Sequence, residues 1–524
     1  MRSVGTVLAL VILATVVATF ARRWRMPAPS LLVVAGLAVA LLPGSPQIEI
    51  SPEIIGLVVL PPLLYASAED MPWRELRAVW KPVGVLSIGL VLASAAAVAA
   101  VATAVTPLSW QMAFVLGAVL ASTDPVAVTA LGRRLALPPR VQVLVQAESL
   151  FNDATSLVLV RVAAGIAVAS AAASWEAAGD QFLLLAGGGT VIGAAVAGVV
   201  VLIRRRTEEP VLETVIALVT PYAAYLLAEA AHTSGVTSCV VAGVVLGGRG
   251  DRLTNARIRL QLHAVYGTVV FLLESVVFSL IGLALPGEVR ALAVGDRSWP
   301  LYALAVAATL IAVRLLWLAP LSAVVQRKGG ISRLNWRLPL VLTWAGTRGV
   351  MPLAAALSIP AVAKDGTALT DRSLILVLTT SVVVVTLVVQ GFTLAPVVRA
   401  SGLALEPAHT EREEVEARSH LAHAGLARLE ELAELEAVPD IVLDRLRRGL
   451  TARLDDARDR LAEHNGTPAS TESADLVYRQ LRRDLITVET AELQRLYDTH
   501  RVSDTTRRRL QRSLDLEEAR LTDV

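Results

Sequence analysis

Thirteen stretches of mostly apolar residues occupy the first 400 positions of this 524-residue chain, each near the length a helix needs to cross a bilayer. Such a helix takes about 20 residues at about 1.5 Å of rise each. The stretches are 4–20, 27–43, 52–68, 82–105, 110–131, 141–166, 181–203, 211–231, 233–248, 262–286, 299–324, 338–360 and 373–396, the ninth being the shortest. Charge follows the same division. Residues 1–400 hold 29 Lys+Arg and 20 Asp+Glu, whereas 401–524 hold 19 and 26 in less than a third of that length. An all-α polytopic membrane body over 1–400 with a charged helical tail over 401–524 is therefore expected. A soluble multidomain protein is excluded.

The formal net charge of +2 hides +9 on the body and −7 on the tail. The body's cations lie between apolar runs and form no stripe, which argues against nucleic-acid binding. One cysteine, Cys239, excludes an internal disulfide, and only 7 His are present, mostly in the tail. No Walker loop, GxGxxG or GxSxG occurs, so neither an enzyme nor a bound cofactor is expected. The first stretch has its cations, Arg22, Arg23 and Arg25, behind the apolar run, and reads as a retained span rather than a signal peptide.

Orientation follows from the positive-inside rule. Alternate loops carry Arg74/Arg77/Lys81, Arg133/Arg134/Arg140, Arg204 to Arg206, Arg249/Arg252/Arg257/Arg259 and Arg327/Lys328/Arg333/Arg337, together with the three arginines after the first span. An odd number of spans then puts the N-terminus outside and the tail in the cytoplasm. The tail itself reads as helix from 408, interrupted at Pro439 and at Asn465-Gly466-Thr467-Pro468, with Ser503-Asp504 capping a last helix through Leu521.

The informative residues are ionisable ones inside the spans. A charge at the centre of a membrane helix costs about 2.5–3.5 kcal/mol on insertion scales, so it faces a cavity or a partner. The sixth span holds Glu148, Ser149, Asn152, Asp153 and Ser156. At about 100° per residue, Ser149, Asp153 and Ser156 share one stripe, and Glu148 and Asn152 stack on the next. Carboxylate, amide and hydroxyl oxygens suit a hard cation. A buried carboxylate also exchanges protons near neutral pH. Na⁺ and H⁺ would compete for Asp153, whereas Glu148 is expected to pair with Arg348.

Two spans carry helix breakers at this depth. The fifth contains Ser122-Thr123-Asp124-Pro125, and Pro125 lacks the N–H that would serve the Ala121 carbonyl. The twelfth contains Gly346-Thr347-Arg348-Gly349-Val350-Met351-Pro352. Interrupted helices at membrane depth line cavities, and their ends coordinate ions. Spans five and twelve lie seven apart, so equivalent helices cross in opposite directions, as an inverted repeat requires. Glu274 and Arg314 read as gate elements or an ordinary pair, Glu213 and Glu229 as groups reaching the interface, and Gly189, Gly193 and Ala197 as a helix-packing seam.

Thr123-Asp124-Pro125-Val126-Ala127-Val128 followed by Glu148-Ser149-Leu150-Phe151-Asn152-Asp153 resembles the sodium/proton exchanger family in its NhaP-type branch. Trp344 to Val350 is similar to that family's arginine-bearing broken helix, and Leu60-Pro61-Pro62-Leu63-Leu64-Tyr65 to its third span. Asp515 to Arg520 also looks like the ending of bacterial members. The resemblance implies about thirteen helices with inverted repeats and a mobile core of spans five, six and twelve moving against a dimerising panel. It implies an antiporter of Na⁺, or of K⁺ or Li⁺, against H⁺ in the cell membrane. Asp153 would be the shared ligand of cation and proton, with oxygens from Thr123 and Ser149. Asp124 would balance charge at the break, Glu148 would bond Arg348, and the Asn152-Asp153 order marks electroneutral exchange. Several members place an acidic residue after the third-span motif, where this chain has Ala66. A K⁺/H⁺ antiporter of the same mechanism is the alternative. A channel or membrane sensor is the reading from another class, but no filter loop supports it.

Overall fold

The computed structural model describes residues 2–24, 26–43, 55–124, 139–169, 175–207, 209–249, 256–292, 298–328, 336–359, 371–402, 407–435, 439–464, 471–499, 501 and 504–522. Every regular element among them is helical. The chain forms two compact units, Met1–Ala404 and Leu405–Val524.

Seven helices of the first unit are long and apolar enough to cross a membrane. They are α4 (Trp73–Val105), α6 (Pro139–Ala169), α7 (Trp175–Arg204), α8 (Pro210–Ala230), α10 (Ala256–Arg290), α11 (Trp299–Lys328) and α14 (Asp371–Ser401). Shorter apolar helices stand between them: α1 (Arg2–Trp24), α2 (Ala28–Ala40), α3 (Ile55–Glu69), α5 (Trp110–Leu120) and α9 (Gly235–Gly247). The twelfth stretch is split into two half-helices, α12 (Arg337–Trp344) and α13 (Val350–Leu357). The second half of the fifth stretch, 125–131, lies outside the described residues.

Several helices run beyond the apolar stretches that announce them. Helix α4 starts at Trp73, nine residues before its stretch, with Arg74, Glu75, Arg77 and Lys81 on its first turns. Hydropathy marks only the membrane-embedded part of such a helix. Two wide π turns, Ile55–Val59 and Val85–Leu90, lie beside Pro61–Pro62 and Pro82. These prolines lack the N–H that a regular turn would use.

Helices α4, α5 and α6 pack with α11 to α14 into one bundle, α5 lying between α4 and α6, and α11 against both α4 and α14. The remaining helices form a second group, in which α2 lies along α10, α3 along α9, and α7 and α8 both against α9. Gly189, Gly193 and Ala197 do form the packing seam of α7. A Cβ at Gly189 would lie 2.6 Å from the Ser234 carbonyl, a Cβ at Gly193 would strike that of Ser238, and Ala197 is fully buried. The groups meet where α14 touches α2 and α10, and where α6 touches α3, α7 and α9. Ser30 Oγ, on α2, donates across the first contact to the Leu387 carbonyl at 2.6 Å. Large apolar side chains such as Leu183, Val191, Leu202, Leu301 and Leu316 point outward. Apolar faces of this kind suit contact with a membrane.

The expectation that Glu213 reaches the interface is corrected. It is fully buried, with the Arg204 guanidinium 3.1 Å away, because the turn joining α7 to α8 folds both side chains inward. Glu69 shares that arginine at 3.9 Å and accepts a 3.4 Å hydrogen bond from the Tyr65 hydroxyl.

The second unit consists of α15 (Pro407–Leu435), α16 (Asp440–His464), α17 (Thr471–Asp498) and α18 (Asp504–Thr522). The break at Pro439 is present, whereas the 465–468 turn and the Ser503 cap lie outside the described residues. Helices α15 and α16 pack together, as do α17 and α18, where Arg482 and Glu517 pair at 2.6 Å.

Candidate functional site

Helix α5 begins at Ser109, whose hydroxyl accepts from the Met112 N–H, and ends at Leu120 in the middle of the bundle. Residues 122–124 continue as non-helical chain. Helix α12 likewise ends at Trp344, residues 346–349 are non-helical, and α13 starts after Gly349. The two breaks lie against each other. The Asp124 N–H donates to the Thr347 carbonyl at 2.8 Å, and the Thr347 hydroxyl donates to the Asp124 carbonyl at 3.0 Å.

This arrangement brings helix ends together in the buried interior, where each carries partial charge. Cationic groups sit at the C-terminal ends. Arg348 Nε donates to the Leu120 carbonyl at the end of α5 (2.9 Å), and its Nη1 to the Gly346 carbonyl (2.5 Å). Arg314 Nε donates to the Leu342 carbonyl in the last turn of α12 (3.0 Å). An anion sits at the N-terminal end. The Asp124 carboxylate lies against Gly349, the residue that opens α13, where any Cβ would overlap it.

Helix α6 crosses directly over the α5 break and holds it. Ser149 Oγ donates to the Thr123 carbonyl. Asn152 grips the same residue twice, Nδ2 donating to Thr123 Oγ1 at 2.7 Å and Oδ1 accepting from the Thr123 N–H at 3.3 Å. Ser156 Oγ donates to the Ala118 carbonyl in the last turn of α5 at 2.6 Å. Asn152, Ser149 and Thr123 are therefore joined, on the stripes the sequence suggested.

Asp153 differs from all of them. It is buried, with the Ser122 hydroxyl beside it, yet Asp153 Oδ1 and Ser122 Oγ hydrogen-bond to no protein group. A buried carboxylate oxygen without a partner is costly. The Ser149 hydroxyl donates and the Thr123 hydroxyl accepts one bond, and each keeps a lone pair for a cation.

The expected Glu148–Arg348 pair is corrected. Glu148 is instead gripped by Arg314 of α11, Nη1 to Oε1 at 2.5 Å and Nη2 to Oε2 at 2.8 Å. The physical reason is the supply of carbonyls. Arg348 sits in the break itself and is used by the backbone oxygens freed there, whereas Arg314 reaches past Gly346 to the carboxylate. Arg314 is thus taken up by Glu148 and not by Glu274. Sequence reasoning had one usable signal for it: Arg314 was an intramembrane cation without a fixed partner.

On α3, Ala66 offers no carboxylate at the position in question, and Glu69, one turn on, is held by Tyr65 and Arg204.

Residues 9–400 match the family model described as the sodium/hydrogen exchanger, transmembrane. The chain belongs to the sodium/hydrogen exchanger family. A Na⁺/H⁺ exchanger of Mycobacterium tuberculosis, itself named uncharacterized, is 34% identical over 99% of this chain and 97% of its own length. The Na⁺/H⁺ antiporter ApNhaP of Aphanothece halophytica is 33% identical, over 79% of this chain and 76% of its own. The solved structure of the sodium proton antiporter MjNhaP1 from Methanocaldococcus jannaschii superposes with a TM-score of 0.62 at 20% identity, covering 78% of this chain and 99% of that one. That likeness shows the fold. This exchanger is accordingly a multi-pass membrane protein that trades Na⁺ for H⁺, and it belongs with transporters.

Proposed function

We propose that Asp153 is the single group of this exchanger that alternately carries the cation and the proton. The carrying observation is its buried Oδ1, which no protein group satisfies although every neighbour on α6 is bonded. A cation or a proton each removes the cost of that bare charge, so the two are alternatives at one site. Thr123, Ser149 and Asn152 hold the α5 break against α6 and offer oxygens to the cation, and Asp124 balances charge at the start of α13. Because Asn152 does not titrate and Arg314 occupies both oxygens of Glu148, one proton exchanges for one cation and no net charge crosses.

The bundle of α4–α6 and α11–α14 is the moving transport core over residues 1–400. The α1–α3 and α7–α10 group is the panel through which two copies pair. The N-terminus lies outside and the 401–524 tail in the cytoplasm, as the loop arginines favour.

The test is Asp153→Asn in sealed vesicles with a pH dye. Na⁺-driven proton movement is expected to vanish while the protein stays folded and inserted. Exchange retained by that variant would remove Asp153 as the carrier.

A further inference from the structure

Between the two helix groups lies a cavity of about 250 Å³, bounded by Gly56 and Leu60 of α3, Leu157 of α6, Tyr225 of α8, and Ala354 and Ser358 at the end of α13. Leu157 is one turn along α6 from Asp153, so the cavity ends about 6 Å of helix rise short of the carboxylate. One turn farther on, Arg161 lines the same cavity. It is the side chain that joins the groups there. Its Nη2 donates to Glu229 in the last turn of α8, and its Nη1 to the Thr233 carbonyl at 3.3 Å.

Glu229 is fixed from the panel side. Its Oε1 also accepts from the Gly235 N–H at 3.2 Å, at the N-terminal end of α9, where a carboxylate is favoured. A Cβ at Gly235 would fall 2.7 Å from the Tyr225 ring and 3.0 Å from that carboxylate oxygen, so the corner fits Glu229 only because residue 235 is glycine. The anchor is rigid, and the arginine belongs to the helix that carries Asp153. Both side chains of the pair remain about one-third exposed (38% and 33%), so water can replace the bond when it opens. The buried Arg314–Glu148 pair, by contrast, lies wholly within one group and travels with it.

We propose that Arg161 is a positioning residue, a latch that holds α6 to the α8–α9 corner in the conformation whose cavity opens toward Asp153. It must release Glu229 each time the core moves. The inference rests on the moving-core reading above. Ligands and latches shift conformational populations only through such differential contacts.

The latch is tested by the labelling rate of a cavity reporter, Ser358→Cys, with N-ethylmaleimide in the Cys239→Ser background. Ser358 is exposed at the cavity and Cys239 is fully buried. Arg161→Gln and Glu229→Gln are each expected to slow labelling at least three-fold by depleting the open conformer. The double variant should slow it no further, and Arg161→Lys, which keeps the charge, should stay near the parent rate. An unchanged rate in Arg161→Gln, additive losses, or equal losses in Gln and Lys variants would overturn the latch. Asp153→Asn separates the two claims. If it abolishes exchange while Arg161→Gln leaves labelling untouched, the latch alone fails; if it retains exchange, the transport reading fails whatever Arg161 does.

Discussion

Arg314 on α11 and Glu148 on α6 meet through two hydrogen bonds, of 2.5 and 2.8 Å, one to each carboxylate oxygen, with both side chains almost completely buried. Removing one partner leaves an uncompensated buried charge, at a cost on the order of 3–5 kcal/mol. Glu148→Gln and Arg314→Gln should each lower the thermal stability of the detergent-solubilised protein, and the double variant should recover part of the loss. The same cycle between Glu148 and Arg348 should show the smaller coupling, because Arg348 spends its donors on the Leu120 and Gly346 carbonyls. Equal couplings in the two cycles would contradict this geometry.

Gly349→Ala places a methyl group inside the Asp124 carboxylate, which cannot withdraw without leaving the start of α13. Exchange should fall at least ten-fold, and the melting temperature should drop. Gly346→Ala, whose methyl would meet the Arg314 guanidinium from 2.5 Å, should act through the neighbouring pair and reduce the Glu148–Arg314 coupling. Wild-type turnover in Gly349→Ala would show that the carboxylate has room elsewhere.

Asn152→Ala removes both bonds to Thr123 at once. Buried groups left unsatisfied cost about 1–3 kcal/mol each, so this variant should be markedly less stable and slower. Asn152→Asp keeps an oxygen for the Thr123 N–H, and the Thr123 hydroxyl can turn to donate to the other. It should therefore keep more activity than Asn152→Ala. A reversed order of the two activities would mean that Asn152 does not work as the clamp.

Competition at one carboxylate fixes the sign of the pH dependence. As pH falls, protons occupy more of Asp153, so the apparent KM for Na⁺ should rise, by up to ten-fold per pH unit once the proton form dominates, with the maximal rate little changed. Initial rates across Na⁺ concentration at several symmetrical pH values check this. A KM independent of pH would require separate cation and proton sites.

One cation for one proton also makes exchange indifferent to membrane potential. Vesicles clamped at different potentials with K⁺ and valinomycin should exchange Na⁺ at one rate, once K⁺ has been shown not to be a substrate. A rate that changes with potential, or a steady transport current, would mean that more than one proton moves per cation.

The order of polar and apolar residues alone dictated a great deal here. Water and hydrocarbon differ so strongly for a buried charge that Asp153, Glu148 and Arg348 stand out of their apolar surroundings without any structure. Pro125 and the glycines flanking Arg348 announce the two breaks through backbone chemistry local to each site. Periodicity of about 3.6 residues put Ser149 and Ser156 on one stripe with Asp153, and Asn152 on the adjoining one, and the contacts of α6 with the α5 break follow from that. Tertiary structure alone decided which charge meets which. The choice of Arg314 over Arg348 for Glu148 and the reach of Arg161 to Glu229 join helices far apart in sequence, and the inward turn of Arg204 and Glu213 joins two consecutive ones. A helix pattern states which face is polar, but not which neighbour lies against it. In a membrane interior the partner is set by competition among every carbonyl and carboxylate that the packing brings within a few ångströms.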